Sequence, residues 1–139
     1  MPAGYSRTPL IAKLGIKPGQ RVRIIKAPSH YLDLLGPLPD DVQIINATRG
    51  PLDFIHLFVT KESELNLGLP KIKPRLASNG TLWISWPKGG SSIATDLKEG
   101  MVREAGLTAG LVDVKICAVD EDWSGLKFVY RLKDRIAKK

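Results

Sequence analysis

The sequence predicts an α/β fold, a three-layer sandwich around a mostly parallel sheet that ends in an antiparallel hairpin. Three observations predict it. Apolar, strand-like runs alternate with short segments of helical spacing along the chain. One run, Phe54 to Val59 (F-I-H-L-F-V), is almost continuously apolar, as suits a parallel strand covered on both faces. The last two runs, Leu111 to Val119 and Lys127 to Arg131, are separated by a short acidic turn, which suits antiparallel neighbours. A chain of 139 residues is one domain's worth, and no linker or internal repeat divides 1–139.

The elements follow in order. Thr8 suits an N-cap and Pro9 a first helical position, so a short helix starts there, buries Leu10, Ile11 and Leu14 and stops at Gly15. After the Pro18-Gly19 turn, Val22 to Ala27 reads as a strand. Its flanking Arg21 and Arg23 sit awkwardly beside a buried strand and are expected at its solvent-facing start. Pro28-Ser29 begins a second short helix carrying Tyr31, Leu32, Leu34 and Leu35, ended by Gly36-Pro37. Val42 to Ile45 is a second strand, and Arg49-Gly50-Pro51 a turn. After the apolar third strand, Thr60 suits the cap of a helix from Lys61, which Pro70 and Pro74 break or kink. Asn79-Gly80 turns the chain into a fourth strand, Leu82 to Trp86. A loop, Pro87 to Ser92, precedes a helix over Asp96 to Ala109 with a capping-box-like start at Asp96 and Glu99. Gly110 ends it before the hairpin.

Composition narrows the function classes. Apolar residues make up 43% and charged residues 25%, which fits a globular chain and argues against disorder. One cysteine, Cys117, excludes an internal disulfide, and no C-x-x-C pattern suggests a metal. No apolar run approaches the roughly 20 residues of a membrane span, and no apolar leader follows Met1. The expectation is a cytoplasmic protein with no membrane partner. The net charge is +7, with six basic residues and no acid from Met1 to Leu32, and a basic tail from Arg131 to Lys139. Neither basic stretch interleaves aromatics, so nucleic-acid binding is not the expected use.

Two resemblances follow from these residues. Asp53 to Leu57, then Gly80 to Pro87, and Gly110 to Val114 resemble the middle strands and closing hairpin of a reduced class I methyltransferase domain, a Rossmann-like framework. More specifically, Gly4-Tyr5-Ser6 with Thr8-Pro9-Leu10, Trp86-Pro87-Lys88, and Val119-Asp120-Glu121 with Trp123 to Lys127 resemble a bacterial family of small proteins catalogued as domain of unknown function 3052. That second resemblance implies a fold and no activity.

The first resemblance makes a chemical demand. A nucleoside-bearing cofactor needs bare, glycine-rich backbone after the first strand and a carboxylate at the end of the second to hold the ribose. Here the turn is Ala27-Pro28-Ser29-His30, and the second strand ends Ile45-Asn46-Ala47-Thr48-Arg49. Both anchors are missing, so no cofactor is expected, S-adenosylmethionine included.

The candidate ligand site is the crevice at the strand ends, formed by Ser29, His30, Trp86, Lys88, Gly89, Gly90 and Ser91. Its loop glycines, hydroxyls and one cation could hold an anion, although the spacing is not that of a phosphate-binding Walker loop. His56 lies within an apolar strand and reads as a hydrogen-bonded core residue. Cys117 reads as small and buried, and Asp120-Glu121-Asp122 as a solvated turn. Trp83 and Ser85 should face one side of the sheet, Ile84 and Trp86 the other. Trp86 is expected to line the crevice, and Trp123 to be exposed and to suit a subunit interface. No catalytic or metal-binding residue is assigned. The expected function is a non-catalytic binding or interaction module for an anionic small molecule or a protein partner, a homodimer among the options. The alternatives are an enzyme using His30, Lys88 and Ser91, and a weak nucleic-acid binder through the basic termini.

Overall fold

Among the described residues, six strands form one sheet in the order β2-β1-β3-β4-β6-β5. A computed structural model of the chain describes residues 9–46 and 50–137. The strands are β1 (Arg21–Ile25), β2 (Gln43–Ile44), β3 (Leu52–Phe58), β4 (Leu76–Pro87), β5 (Leu111–Ala118) and β6 (Trp123–Tyr130). The helices are α1 (Leu10–Leu14), α2 (Tyr31–Leu35), α3 (Glu62–Ile72), α4 (Glu99–Thr108) and α5 (Leu132–Ala137). Strands β1 to β4 pair in parallel, and β6 runs antiparallel to both β4 and β5. The α/β sandwich with its terminal hairpin is therefore the observed architecture.

Two cores explain the layers. On one face Leu14, Val22, Tyr31, Leu35, Phe54, Phe58 and Trp83 pack beneath α1 and α2. On the other, Ile55, Leu57, Leu65, Leu69, Ile84, Val102 and Phe128 pack beneath α3 and α4. Successive residues along β4 divide between the faces, Trp83 to the first and Ile84 and Trp86 to the second, as strand alternation requires. Gly106 lets α4 sit directly on β6, since a Cβ there would come within 2.0 Å of Phe128 Cε1.

Several boundaries differ from expectation, each for a local reason. The proposed Thr8 cap lies outside the described residues, and Pro9 holds the N-cap position instead. Gly15 stops α1 as expected, in left-handed backbone at φ 86°. Asn79-Gly80 is no turn: β4 runs through it as one strand of 12 residues. The register against β3 shifts there, from Leu52↔Leu76 to Phe54↔Thr81. Gly80 is required at that bulge, because a Cβ would approach the carbonyls of Ala77 and Leu52 to 3.0 Å. α3 continues past Pro70 to Ile72 and then tightens into a 3-10 turn at Lys73–Arg75. β6 begins at Trp123, earlier than Lys127, and Leu132–Ala137 of the basic tail forms α5.

The helix after the glycine loop starts at Glu99, later than Asp96. Asp96 serves a different helix. Its Oδ1 accepts the backbone N–H of Glu62 at 2.8 Å, satisfying a donor in the first turn of α3. Glu64 closes the same end, its Oε1 accepting the N–H groups of Thr60 and Lys61 at 2.8 and 3.2 Å.

The connection from β2 to β3 is the feature that shapes the surface. Both strands are parallel to β1 and lie on either side of it, yet among the described residues between Ile44 and Leu52 there is no helix. One face of β1 therefore lacks a covering helix beside α3. This resolves the position of Arg23: it lies in the middle of β1, half-exposed on that open face, and not at the strand's start.

Candidate functional site

The strand-end crevice named from the sequence is stitched together by the acidic turn. His30 Nε2 lies 2.8 Å from Asp120 Oδ2. Ser91 Oγ donates to Asp122 Oδ1 at 2.9 Å and accepts the N–H of Ile93 at 3.1 Å. The Lys88 N–H donates to the Asp122 carbonyl at 2.8 Å. Asp120 Oδ1 in turn accepts the N–H groups of Asp122 and Trp123, both at 2.8 Å. The turn read as merely solvated thus fastens the loop before α2 and the loop after β4 to the hairpin.

Of the expected site residues, the structure places His30 and Ser91 against this turn, with Lys88 between loop and turn. Ser29, Gly89 and Gly90 are exposed. A Cβ at Gly89 or Gly90 would meet nothing within 4 Å, so neither glycine is there to admit close contact. Trp86 does not line the crevice; it is 5% exposed and packs in the α3–α4 core with Val59 and Leu97. Trp123 is likewise buried rather than exposed, its ring edge-on to Phe58 at 5.2 Å. Strand alternation carries both indoles inward because helices or loops cover each face. Cys117 is half-buried against the first core, and burial raises its thiol pKa. Two carboxylates beside His30 and Ser91 give this crevice a local field that opposes an anion.

His56 is a hydrogen-bonded core residue, as its strand position implies. It is fully buried, with Nδ1 2.6 Å from Tyr31 Oη and Nε2 2.7 Å from Ser85 Oγ. Burial lowers its pKa to about 3 and raises that of Tyr31. In either tautomer the neutral imidazole donates from one ring nitrogen and accepts a hydroxyl hydrogen bond at the other, satisfying both. Among the described residues, no three His, Cys, Asp or Glu side chains converge to hold a metal ion.

The turn after β1 lacks the bare, glycine-rich backbone that a nucleoside needs. Lys26 adopts left-handed backbone at φ 59°, uncommon for a side chain with a Cβ, and its Nζ reaches 3.5 Å from Glu64 Oε2. Pro28 then removes an N–H from the turn. Beyond β2, the Asn46 backbone carbonyl accepts Arg23 Nη1 at 3.1 Å, and the described residues there include no carboxylate. The residues present do not fit S-adenosylmethionine.

A different site, which sequence reading missed, lies beside β1 on the face that no described helix covers. A cavity of about 630 Å³ opens between the β1–β3 face and α3. Ile25, Leu57, Val59, Leu67 and Ile72 give it an apolar lining. Arg23, Lys26, Lys71 and Arg75 supply four cations against one carboxylate, Glu64, which already pairs with Lys26. Arg75 Nε and Nη2 also donate to the Gly50 carbonyl at 3.3 and 3.2 Å, so its guanidinium is held in place. The visible hint was the pair Arg21 and Arg23 on a strand expected to be buried. Leu67, 68% exposed on α3, extends the apolar lining to the surface.

Comparison with known proteins agrees with this geometry at the level of fold. Residues 50–132, more than half of the chain, match a family described as "Protein of unknown function (DUF3052)". No curated protein matches by sequence. Among solved structures, a SAM-dependent methyltransferase from Aquifex aeolicus superposes with a TM-score of 0.61 at 16% identity, covering 86% of each chain. A TehB-like SAM-dependent methyltransferase from Corynebacterium glutamicum gives 0.58 at 12%, covering 93% of this chain and 91% of its own. Aeropyrum pernix fibrillarin, solved with natively bound S-adenosyl-L-methionine, gives 0.57 at 11%, covering 91% and 70%. Likeness at such identities establishes a Rossmann-like, methyltransferase-like fold and nothing about activity.

Proposed function

The chain belongs to the DUF3052 family, and from that premise we propose that it is a non-catalytic binding module for an amphipathic anionic small molecule. The ligand would lie in the groove between β1, β3 and α3. The observation that supports this reading is the combination of an apolar lining with four cations and a single, already paired carboxylate in a cavity of about 630 Å³. A pocket of that size lies within the range that encloses small ligands, and a few placed polar groups on apolar walls fix orientation. The apolar lining would take a hydrocarbon or flat ring system. Arg23, Lys71 and Arg75 would meet a carboxylate, sulfonate or phosphate at its head.

Decanoate, displacing anilinonaphthalene sulfonate, tests this by fluorescence titration. The parent protein is expected to bind both, and Lys71→Glu and Leu67→Ser to bind decanoate about tenfold or more weakly. Both positions are exposed on α3, so neither change should disturb the fold. A parent that binds neither probe, or variants that bind decanoate as the parent does, would overturn the reading.

A further inference from the structure

The opposite face of the sheet carries a second charged feature that the groove does not use. Lys115 and Lys127 stand directly opposite each other across the β5–β6 ladder. Lys127 is also in register with Trp83 on β4, which puts the pair on the α1 side. Like charges in that cross-strand position repel and cost stability.

Helix α1 adds to the repulsion instead of relieving it. Lys115 Nζ donates to the Lys13 carbonyl at 3.3 Å, and Lys13 Nζ donates to the Ala118 carbonyl at 3.2 Å. These bonds fix two ammonium groups in place without neutralising them. Lys127 Nζ lies 4.0 Å from the Cβ position of Gly15, at the end of α1, and Lys17 follows two residues later. Among the described residues, none of these four lysines has a carboxylate within ion-pair distance. Asp113, the acid on β5, is turned to the other face and holds Arg103 at 3.0 Å. Burial, with Lys115 and Lys17 nearby, lowers the pKa of Lys127, which accords with a crowded, uncompensated cluster.

We propose that Lys13, Lys17, Lys115 and Lys127 form a second binding site, for a phosphate-bearing anion of more than one negative charge. Two fixed ammonium groups and two adjacent ones suit a chain of linked phosphates better than a single carboxylate. Such phosphates occur in free polyphosphates and in nucleic-acid backbones, and the chemistry recognised is the same. The aromatic stacking that reads single-stranded bases has no counterpart among the residues named here.

Thermal unfolding with tripolyphosphate, at matched ionic strength against chloride, tests the site. The parent should be stabilised, and the Lys115→Gln/Lys127→Gln double variant should lose that stabilisation. The unliganded double variant should melt no lower than the parent, since it relieves the like-charge pair; a purely structural role for these lysines would lower it. Lys17→Gln, at an exposed position, is the second variant and should weaken tripolyphosphate about tenfold. A single-stranded oligonucleotide in place of tripolyphosphate separates the sources: stabilisation by it alone assigns the phosphates to nucleic acid, and stabilisation by tripolyphosphate assigns them to a free anion. The proposal fails if neither polyanion stabilises the parent, or if the lysine variants respond as the parent does. Lys71→Glu, in the groove, should leave the response to tripolyphosphate unchanged.

Discussion

His56 Nε2 sits 2.7 Å from Ser85 Oγ, a bond between two side chains with no exposed surface. With Tyr31 on the other ring nitrogen, it makes a polar chain through a core otherwise built from aliphatic and aromatic groups. Phe58 stacks on the imidazole at 4.2 Å, which removes further room for water. A proton added to this ring would place a charge where no solvent reaches it.

Stability should therefore fall as the medium becomes acidic. The folded His56 titrates at about 3, below the ordinary value of 6.5. Between those values the unfolded chain binds a proton that the folded chain does not. The stabilisation is full above pH 6.5 and declines as pH drops through this window, by about 1.4 kcal/mol per unit. Glu64, held below its ordinary carboxylate value by hydrogen bonds from Thr60, adds a loss of the same sign only at lower pH. Urea melts of a His30→Gln variant between about pH 5 and 6.5 thus isolate His56, the one histidine left. Stability that stays flat there, or a His56 ring proton that titrates near 6.5 by NMR, would contradict the buried neutral imidazole.

Gly106 and Gly100 make a paired test of α4 packing. A Cβ at Gly106 would penetrate the Phe128 ring, whereas one at Gly100 meets nothing within 4 Å. Gly106→Ala should destabilise by about 1–3 kcal/mol through overpacking. Gly100→Ala, in the same helix, should gain up to about 1 kcal/mol from propensity. Equal effects from both substitutions in chemical denaturation would show that α4 does not sit on β6 as described.

Asp120 should matter more than its position in an exposed-looking turn suggests. Its carboxylate accepts two backbone N–H groups and faces His30. Asp120→Ala leaves those donors without their acceptor and is expected to cost about 1–3 kcal/mol. Glu121→Ala, at the exposed tip, should change stability by less than about 0.5 kcal/mol. Similar melting temperatures for the two variants would reduce the turn to the solvated connection its composition implies.

The sheet was legible because its chemistry is local. The unbroken run at Phe54–Val59, the inward alternation of Trp83 and Ile84, and the Gly15 stop each follow from side chains within a few residues. What escaped depends on distant partners. Asp96 looks like the cap of the helix that follows it, yet it caps α3 from 34 residues away. Trp123 looks exposed until Phe58 is placed against it. The anion crevice was read from glycines and hydroxyls, and nothing in that loop's own sequence told that Asp122 would occupy Ser91. The groove at Arg23 lies on a face of β1 that no described helix covers, and a missing cover is visible only once the strands are ordered.

The methyltransferase-like framework makes S-adenosylmethionine the sharpest probe of what the strand ends do. Adenosyl binding in this architecture depends on close approach to the turn after β1 and on an acceptor beyond β2. Pro28 lacks the N–H, Lys26 crosses to Glu64 at 3.5 Å, and the Asn46 carbonyl is taken by Arg23 at 3.1 Å. The described residues of that turn and of the end of β2 offer a ribose no carboxylate acceptor. Isothermal titration of the parent with S-adenosylmethionine should accordingly give no saturable heat, and Glu64→Gln, which loosens Lys26, should not create binding. A saturating isotherm at micromolar cofactor would return the chain to the enzymes it superposes on, and the Lys26–Glu64 pair would then be a gate that the cofactor opens.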